Sequence, residues 1–204
     1  MSGICGILRL DGASPTGIEA MTGAMQQRGP DGTRHHADGP CQLGHTLLAT
    51  TPEAAFETLP LTHPQTGCTI TSDLRLNNRD SLREVLGLPA RIGDAEIALN
   101  AWLRWGEECP RHLDGEFAFA IWDPRAQRLF CARDHMGIRQ LIYCHVPGKT
   151  FAFASAPSVV QLAPDVPARI HEPASPISSK TSSNATIWKK PSTSIPSACR
   201  PPIA

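Results

Sequence analysis

The stretch EFAFAIWDPRAQRLFCARD, residues 116–134, decides the fold of this chain. Every side chain from 117 to 122 is apolar, so both faces of the predicted strand are hydrophobic, as in strands that are buried on both sides. DPRAQ (123–127) provides a turn, and RLFCARD (128–134) returns as the antiparallel partner. The stretch therefore predicts a hairpin in the middle of a layered protein, with further elements packed on each face.

A second hairpin is predicted where LIYCHV (141–146) and FAFASA (151–156) are joined across Pro147 and Gly148. Three further apolar segments are typical of strands, at residues 4–10, 41–50 and 68–76. The segment RHHADGPC, residues 34–41, has no such pattern and is interpreted as a solvated loop. Antiparallel hairpins therefore dominate the predicted sheets.

Helices are expected at three places around these strands. Ile18, Met21 and Met25 have helical spacing within 17–29, and RDSLREVLG (79–87) reads as a short helix. Asp94 can cap a third helix that ends at Gly106. RGPDG, residues 28–32, is interpreted as a structural turn. Helices outside antiparallel hairpins predict an α+β sandwich of sheets.

The composition excludes several classes of protein. Among 204 residues, 19 Lys and Arg balance 19 Asp and Glu, so no basic surface for nucleic acid or membrane is expected. The N-terminus lacks a charged segment before an apolar one, so no secretory signal is predicted. Seven cysteines without a C-x-x-C pair indicate reduced thiols in a cytoplasmic protein. His35, His36 and Cys41 lack metal-ligand spacing, so no metal site is expected.

The sequence changes character near residue 172. From there it is rich in Ser, Thr and Pro, it contains no glycine, and Glu172 is its last acidic residue. Such a segment cannot bury enough apolar surface to fold alone. We therefore expect a domain over residues 1–165 and a disordered tail over 166–204. The tail is either a linker or the product of a frameshift or truncation.

Six motifs together resemble one family. SGICGIL, RGPDG, LGHTLL, WGEECPRHLDGEFAFAIWD, LFCARDHMGIRQLIY and FAFAS occur in the order found in class II glutamine amidotransferase domains, over residues 2–163. The chain looks most like the N-terminal domain of asparagine synthetase-like proteins. The resemblance implies an N-terminal-nucleophile hydrolase fold, which is a four-layer α/β/β/α sandwich. It also implies hydrolysis of glutamine and delivery of ammonia to a synthetase domain.

The resemblance places Ser2 at the catalytic nucleophile, where the family has a cysteine directly after the initiator methionine. An N-terminal nucleophile uses its own α-amine as general base, so methionine removal would expose a complete nucleophile–base pair. A serine hydroxyl is a weaker nucleophile than a thiol at neutral pH, although other N-terminal-nucleophile enzymes use serine. Ser2 alone therefore does not decide whether the site is active.

The binding pocket implied by the resemblance departs further from the family. Leu47 stands where an arginine holds the glutamine carboxylate, and it cannot form a bidentate pair. Ser72, Asp73 and Leu74 replace an Asn-Gly-Glu run that serves the oxyanion and recognises glutamine. Losing one oxyanion donor costs roughly 3 kcal/mol. Asp94 alone is retained, at the position that binds the glutamine amine. These replacements predict an inactive glutaminase site.

Two stretches indicate the subfamily. GHTLLATTPEA (44–54) and SDLRLNNRDSLREVLG (72–87) look like the N-terminal domains of asparagine synthetase homologues that form isopeptide bonds in lasso peptide maturation. β-Lactam synthetases are similar in having lost the glutaminase site. In such relatives the amine comes from the substrate, and the domain persists as a scaffold for an ATP-dependent synthetase domain.

Two functions from different classes remain open. The chain is either a glutaminase-inactive scaffold domain of such a ligase or a working glutaminase that supplies ammonia to an asparagine synthase. A Ser-Gly-Gly-x-Asp-Ser loop for pyrophosphate is absent from the sequence, so this chain is not expected to perform the ligase reaction by itself. No cofactor is expected on this chain, and ATP and magnesium are expected only on the missing synthetase domain. The expected partners are that missing or separate domain and a second copy of the chain, but neither nucleic acid nor membrane.

Overall fold

A computed structural model describes residues 1–51, 54, 57–167 and 185–189 of the chain. The described residues contain ten strands: β1 (Gly3–Arg9), β2 (Gly32–Asp38), β3 (Cys41–Leu47), β4 (Leu61–Thr62), β5 (Thr69–Leu76), β6 (Gly115–Asp123), β7 (Arg128–Arg133), β8 (Ile142–Val146), β9 (Thr150–Ala154) and β10 (Ala185–Lys189). The helices are α1 (Ile18–Gly23), α2 (Arg79–Leu86), α3 (Asp94–Trp105) and α4 (Pro157–Val160), and a 3-10 segment covers Gly106–His112.

The strands form two five-stranded sheets. The first has the order β2-β3-β1-β9-β8, and the second has the order β10-β7-β6-β5-β4. Every strand pair is antiparallel. The central pairing of the first sheet sets Gly3 opposite Thr46, so the start of β1 lies beside the end of β3.

Three apolar layers hold the sheets and helices together. Helices α1 and α4 pack on the outer face of the first sheet, and α2 and α3 pack on the outer face of the second. Between the sheets lies an inter-sheet core, formed by Ile4, Leu8, Leu10, Cys41, Leu43, Ala118, Ala120, Trp122, Leu129, Cys131, Phe151 and Phe153. This arrangement confirms the predicted four-layer α/β/β/α sandwich.

Strand β6 is buried on both faces, as its sequence predicts. Phe117, Phe119 and Ile121 belong to the layer under α3, whereas Trp122 belongs to the inter-sheet core. The Trp122 indole Nε1 donates a hydrogen bond to Asp38 Oδ2 at 2.8 Å. A strand with two apolar faces thus fixes the order of the layers, because each face must pack against a different layer.

Two elements differ from the sequence prediction. The segment 34–41 was interpreted as a loop, but β2 pairs with β3 along residues 32–38. Most β2 side chains are exposed, as expected at a sheet edge, so the strand lacks the apolar alternation that sequence reading requires. The predicted helix over 17–29 is shorter and ends at Gly23.

Regular structure also occurs within the predicted tail. Strand β10 extends the second sheet, with Ala185 opposite Ala132 and Lys189 opposite Arg128. The expectation of a disordered tail is therefore wrong for residues 185–189. Their pairing with β7 indicates that these residues belong to the fold, which argues against a frameshift origin for them. The boundary after residue 165 stays a prediction. Apart from 166 and 167, the other tail residues lie outside the described residues.

The RGPDG turn supports the end of β3 through close backbone packing. Asp31 N donates to the Leu47 carbonyl at 3.0 Å, and Asp31 Oδ2 accepts from Ala49 N at 2.8 Å. A Cβ atom added to Gly29 would lie 2.2 Å from the Thr46 carbonyl carbon. This contact explains why the turn places glycine at position 29.

We expect Gly29→Ala to reduce the free energy of unfolding by about 2 kcal/mol or more, because the β3 backbone must move to accept the methyl group. Gly32→Ala is the matched control, since nothing lies within 4 Å of a Cβ atom there. Urea denaturation of both variants measures the difference. Equal stability of the two variants would contradict the close packing at Gly29.

Candidate functional site

A cavity of about 270 Å³ lies where β1 begins and β3 ends, opposite β5. We call it the Ser2 cavity. It contains the five replaced family positions, and its lining includes Ser2, Leu47, Thr50, Thr51, Glu57, Ser72, Asp73, Leu74, Arg75 and Arg139. The structure thus brings together every replaced position that the resemblance implied.

Ser2 is nearly buried and directly precedes β1. Its side chain hydroxyl accepts a hydrogen bond from the Leu48 backbone N–H at 3.1 Å. The hydroxyl therefore has a fixed direction in the cavity, and its own proton remains available to an acceptor. The position suits a nucleophile geometrically, so the neighbouring groups determine what Ser2 can do.

A buried ion pair occupies the cavity next to Ser2. Arg139 Nη1 lies 3.2 Å from Asp73 Oδ1, and Arg139 Nη2 lies 3.1 Å from Glu116 Oε2. The Asp73 and Arg139 side chains are only 8% and 12% exposed. Burial raises the pKa of the Asp73 carboxyl, although Arg139, the N-terminal amine and Arg28 oppose the shift. Arg139 is thus committed to two carboxylates.

The loop that carries Arg139 is organised by Asp134, which is buried after β7. Asp134 Oδ1 accepts from Ile138 N at 2.9 Å, and Asp134 Oδ2 accepts from Arg139 N at 3.0 Å. These backbone bonds lower the pKa of the Asp134 carboxyl, although burial opposes them. Asp134 therefore sets the position from which the Arg139 side chain reaches Asp73.

Asp94 does not line the Ser2 cavity. Its Oδ2 accepts from Leu76 N and its Oδ1 accepts from Arg79 Nε, both at 2.9 Å. The carboxylate therefore connects the end of β5 with the starts of α2 and α3, and its charge is paired. The expectation that Asp94 caps α3 is wrong, because its own side chain makes no capping bond. Its role as the amine-binding position stays a prediction.

Glu57 supplies the missing cap of α3. Its Oε1 accepts from Ala95 N at 2.9 Å, and Gly93 precedes the helix without a capping side chain. Burial is the main cause that raises the pKa of the Glu57 carboxyl. Sequence reading missed Glu57 because it lies 38 residues before Ala95. The signal available in the sequence was that Gly93, which has no side chain to cap a helix, directly precedes α3, so another residue had to provide the cap.

The adjacent histidines near β2 have separate partners. His35 Nε2 lies 2.7 Å from Thr22 Oγ1, and His36 Nε2 lies 3.3 Å from Thr69 Oγ1. Cys41 belongs to the inter-sheet core. Within the part of the chain that the structure describes, no group of three His, Cys, Asp or Glu side chains could hold a metal ion.

Comparison with known proteins assigns this chain to a family. A family model described as "Glutamine amidotransferase domain" matches residues 1–190. This chain belongs to that family. The match includes β10, so it extends past the point where the tail was predicted to begin.

Asparagine synthetases are relatives of this amidotransferase domain. It is 32% identical over 158 residues to "Asparagine synthetase [glutamine-hydrolyzing] 3" of Bacillus subtilis, covering 75% of this chain and 26% of the relative. A putative asparagine synthetase of Mycobacterium tuberculosis is 43% identical over 76 residues, which cover 37% and 12% of the two chains. The chain therefore spans about a quarter of the Bacillus relative, and it matches the N-terminal domain of these proteins.

A solved structure supports the fold of the amidotransferase domain. The glutamine phosphoribosylpyrophosphate amidotransferase of B. subtilis superposes with a TM-score of 0.63 at 17% identity, covering 79% of this chain and 44% of that one. This likeness shows the N-terminal-nucleophile hydrolase fold. No helix in the described part of the domain is long and apolar enough to cross a membrane.

His45 lies beside the replaced residues of the amidotransferase site. Its side chain is 3% exposed, and burial lowers its pKa to about 4, although a bond to the Ser72 backbone opposes the shift. His45 is therefore neutral in the folded domain at neutral pH. A histidine whose pKa is depressed in the folded state makes the free energy of unfolding decrease as the pH falls.

We expect the contribution of His45 to the free energy of unfolding to fall by about 2 to 3 kcal/mol from pH 6.5 to pH 4, because the histidine binds a proton more readily in the unfolded chain than in the folded domain. The raised pKa values of Asp73 and Glu57 act in the opposite direction. Guanidinium denaturation of wild type and His45→Gln across this range isolates the histidine. Parallel pH profiles of the two proteins would contradict the prediction.

Proposed function

We propose that this chain is the amidotransferase-type N-terminal domain of an ATP-dependent amide ligase, and that the domain itself does not hydrolyse glutamine. The observation that carries the proposal is the Asp73–Arg139 ion pair beside Ser2. It occupies the place where the family resemblance implies an oxyanion hole. The proposed role is that of a scaffold for the synthetase domain.

The charge at Asp73 opposes catalysis. Attack on a glutamine amide places negative charge on the carbonyl oxygen, which hydrogen-bond donors must stabilise. An ionised carboxylate is an acceptor only, so Asp73 repels the developing oxyanion. Arg139 is shared between Asp73 and Glu116, at 3.2 and 3.1 Å, so the three ionised side chains together carry a net charge of −1 and do not favour an oxyanion.

The groups that would bind the two charged ends of glutamine are also missing from the cavity. Leu47 offers no donor to a glutamine carboxylate. Asp94, the retained amine-binding position, already forms an ion pair with Arg79 at 2.9 Å. Both charged ends of a glutamine molecule therefore lack the partners that the family resemblance implies.

The parent ligase is proposed to resemble the isopeptide-forming lasso peptide cyclases. A domain that cannot release ammonia suits a ligase whose amine comes from the substrate. ATP and magnesium would then bind the synthetase domain, as a further part of the chain or as a separate subunit. We also propose a cytoplasmic location, which the six free cysteines among the described residues support.

A second candidate function is a working glutaminase that supplies ammonia to an asparagine synthase. The position of Ser2 favours it, because the hydroxyl lies in the cavity with a fixed hydrogen bond from Leu48 N. The sequence relatives are named as glutamine-hydrolysing, which favours it as well. The two candidates make opposite predictions about whether the domain binds and hydrolyses glutamine.

We expect isothermal titration of the purified domain with L-glutamine to show no saturable binding at millimolar concentrations, because Leu47 and the paired Asp94 leave both charged ends of the ligand without partners. Asp94→Asn and the exposed Asp80→Asn serve as matched variants. Saturable binding that Asp94→Asn abolishes and Asp80→Asn preserves would favour the working glutaminase instead.

A further inference from the structure

The backbone nitrogen of Ser2 lies against a carboxylate in the Ser2 cavity. Its N–H donates a hydrogen bond to the Asp73 carboxylate, and the ammonium group of Met1 is close enough to favour the ionised form of that acid. Asp73 stands where the family resemblance implies a glycine, which carries no charge. The replacement therefore places a negative charge beside the N-terminus of the chain as well as at the proposed oxyanion position.

Backbone pairing holds the Ser2 nitrogen at this place. Ser2 directly precedes β1, whose first residue, Gly3, lies opposite Thr46. The Ser2 hydroxyl accepts from Leu48 N at 3.1 Å, so the residue is bound through its side chain as well. A Cβ atom added to Gly3 would lie 2.5 Å from Thr46 Oγ1, because the two strands pack closely here. The nitrogen therefore has little freedom to move away from Asp73.

Asp73 has acceptor sites available for this nitrogen. A carboxylate has about four lone-pair sites, and Arg139 Nη1 contacts one on each oxygen, at 3.2 Å from Oδ1 and 3.5 Å from Oδ2. The Asp73 side chain is 8% exposed, so little water competes for the remaining sites.

The charged side chains around Asp73 balance one another. They come from the turn before β2, from β6, from the loop after β7 and from the cavity wall, and they are Arg28, Glu116, Arg139, Glu57 and Arg75. With Asp73 they comprise three acids and three arginines. Their summed charge is therefore zero when all are ionised, and the direct contact with Asp73 decides which form of a nearby amine is favoured.

Removal of Met1 changes the chemistry of the Ser2 nitrogen. Met1 is half-exposed in the folded domain. Hydrolysis of the Met1–Ser2 peptide bond by a methionine aminopeptidase consumes one water, releases methionine and leaves an α-amine on Ser2. Such an amine has an ordinary pKa of about 7.7 to 8.0, and an opposite charge in contact favours its protonated form.

We propose that Asp73 binds the α-ammonium group of processed Ser2 and keeps it protonated at neutral pH, so that it cannot serve as the general base for the Ser2 hydroxyl. With the proposed function as its basis, this contact gives a second reason why the domain does not hydrolyse glutamine, because an N-terminal nucleophile needs a free amine to take its proton. A rise of one pKa unit lowers the fraction of free amine about tenfold.

Competitive acetylation of the full chain tests the protonation state, after mass spectrometry has established that Met1 is absent. Only the free amine reacts with acetic anhydride, so the midpoint of the rate between pH 6 and pH 10 gives the pKa of the amine whatever its exposure. An isotope-labelled peptide with residues 2–9, present in the same solution, is the unfolded reference. We expect the midpoint in the domain to lie about one pH unit above that in the peptide. A midpoint at or below that of the peptide would overturn the proposal.

Asp73→Asn tests whether the carboxylate causes the shift, because asparagine has nearly the same volume without the charge. Asp80→Asn, at an exposed position on α2, is the matched control. We expect Asp73→Asn to lower the midpoint to about that of the peptide and Asp80→Asn to keep the wild-type value. An unchanged midpoint in folded Asp73→Asn would contradict the contact. If this variant does not fold, the comparison of the wild-type chain with the peptide still decides.

The acetylation midpoint and the glutaminase rate fail separately. Glutamine hydrolysis by the wild-type domain would contradict the proposed function, whatever the midpoint of the amine. An unshifted midpoint without hydrolysis would overturn only the binding of the α-ammonium group by Asp73.

Discussion

Arg139→Leu is expected to reduce the free energy of unfolding by about 3 kcal/mol, because it leaves the buried Asp73 carboxylate without its main cationic partner. The Asp73 side chain is 8% exposed, so water cannot replace the lost guanidinium. Urea denaturation at pH 7 measures the loss. Arg111→Leu is the control, since the Arg111–Glu108 pair is solvent-exposed and its loss should cost less than about 1 kcal/mol.

A double-mutant cycle separates the ion pair from other effects of the substitution. Asp73→Ala combined with Arg139→Leu should destabilise the domain by at least about 1 kcal/mol less than the two single variants added together. Additive effects would mean that the two side chains do not interact in solution. The ion pair could then not explain the proposed loss of glutaminase activity.

The layers of this fold could be predicted because their signals are local. The two-sided apolar pattern of 117–122 predicted a buried strand, and the structure places its two faces in separate layers. The helices at 79–87 and from Asp94 were likewise predicted within one residue of their observed bounds. In each case the pattern lies within one element, so no tertiary knowledge was needed.

The elements that sequence reading missed depend on distant partners. Strand β2 has a polar pattern and exists because the neighbouring edge of β3 offers backbone hydrogen bonds. Strand β10 likewise pairs with β7, more than fifty residues earlier in the chain. Periodicity cannot detect either strand, because the partner edge supplies the stabilisation.

The grouping of the replaced residues could be predicted from the sequence, but the ion pair beside them could not. The resemblance identified Ser2, Leu47 and Ser72–Leu74, and the structure brings them into one cavity. It did not identify Arg139, which reaches Asp73 from 66 residues away. A salt bridge across such a distance leaves no local pattern, so sequence reading saw an isolated aspartate where the structure has an ion pair.

Ser2→Cys is expected to remain inactive as a glutaminase, although it restores the family's nucleophile. A thiol improves attack but leaves Asp73 and Leu47 at the positions where the resemblance implies the oxyanion hole and the glutamine carboxylate. Loss of a single oxyanion donor lowers the rate by about 100- to 1,000-fold, and here several groups are replaced together. Ammonia release should equal that of Ser2→Ala. A faster rate in Ser2→Cys would show that the rest of the site still functions.

The most direct test of the inactive site is ammonia release from L-glutamine by the wild-type domain, after mass spectrometry has established removal of Met1. Ser2→Ala is the matched control, because it lacks only the hydroxyl. An inactive site predicts the same background rate for both proteins at every glutamine concentration. A wild-type rate that saturates with glutamine and disappears in Ser2→Ala would contradict it.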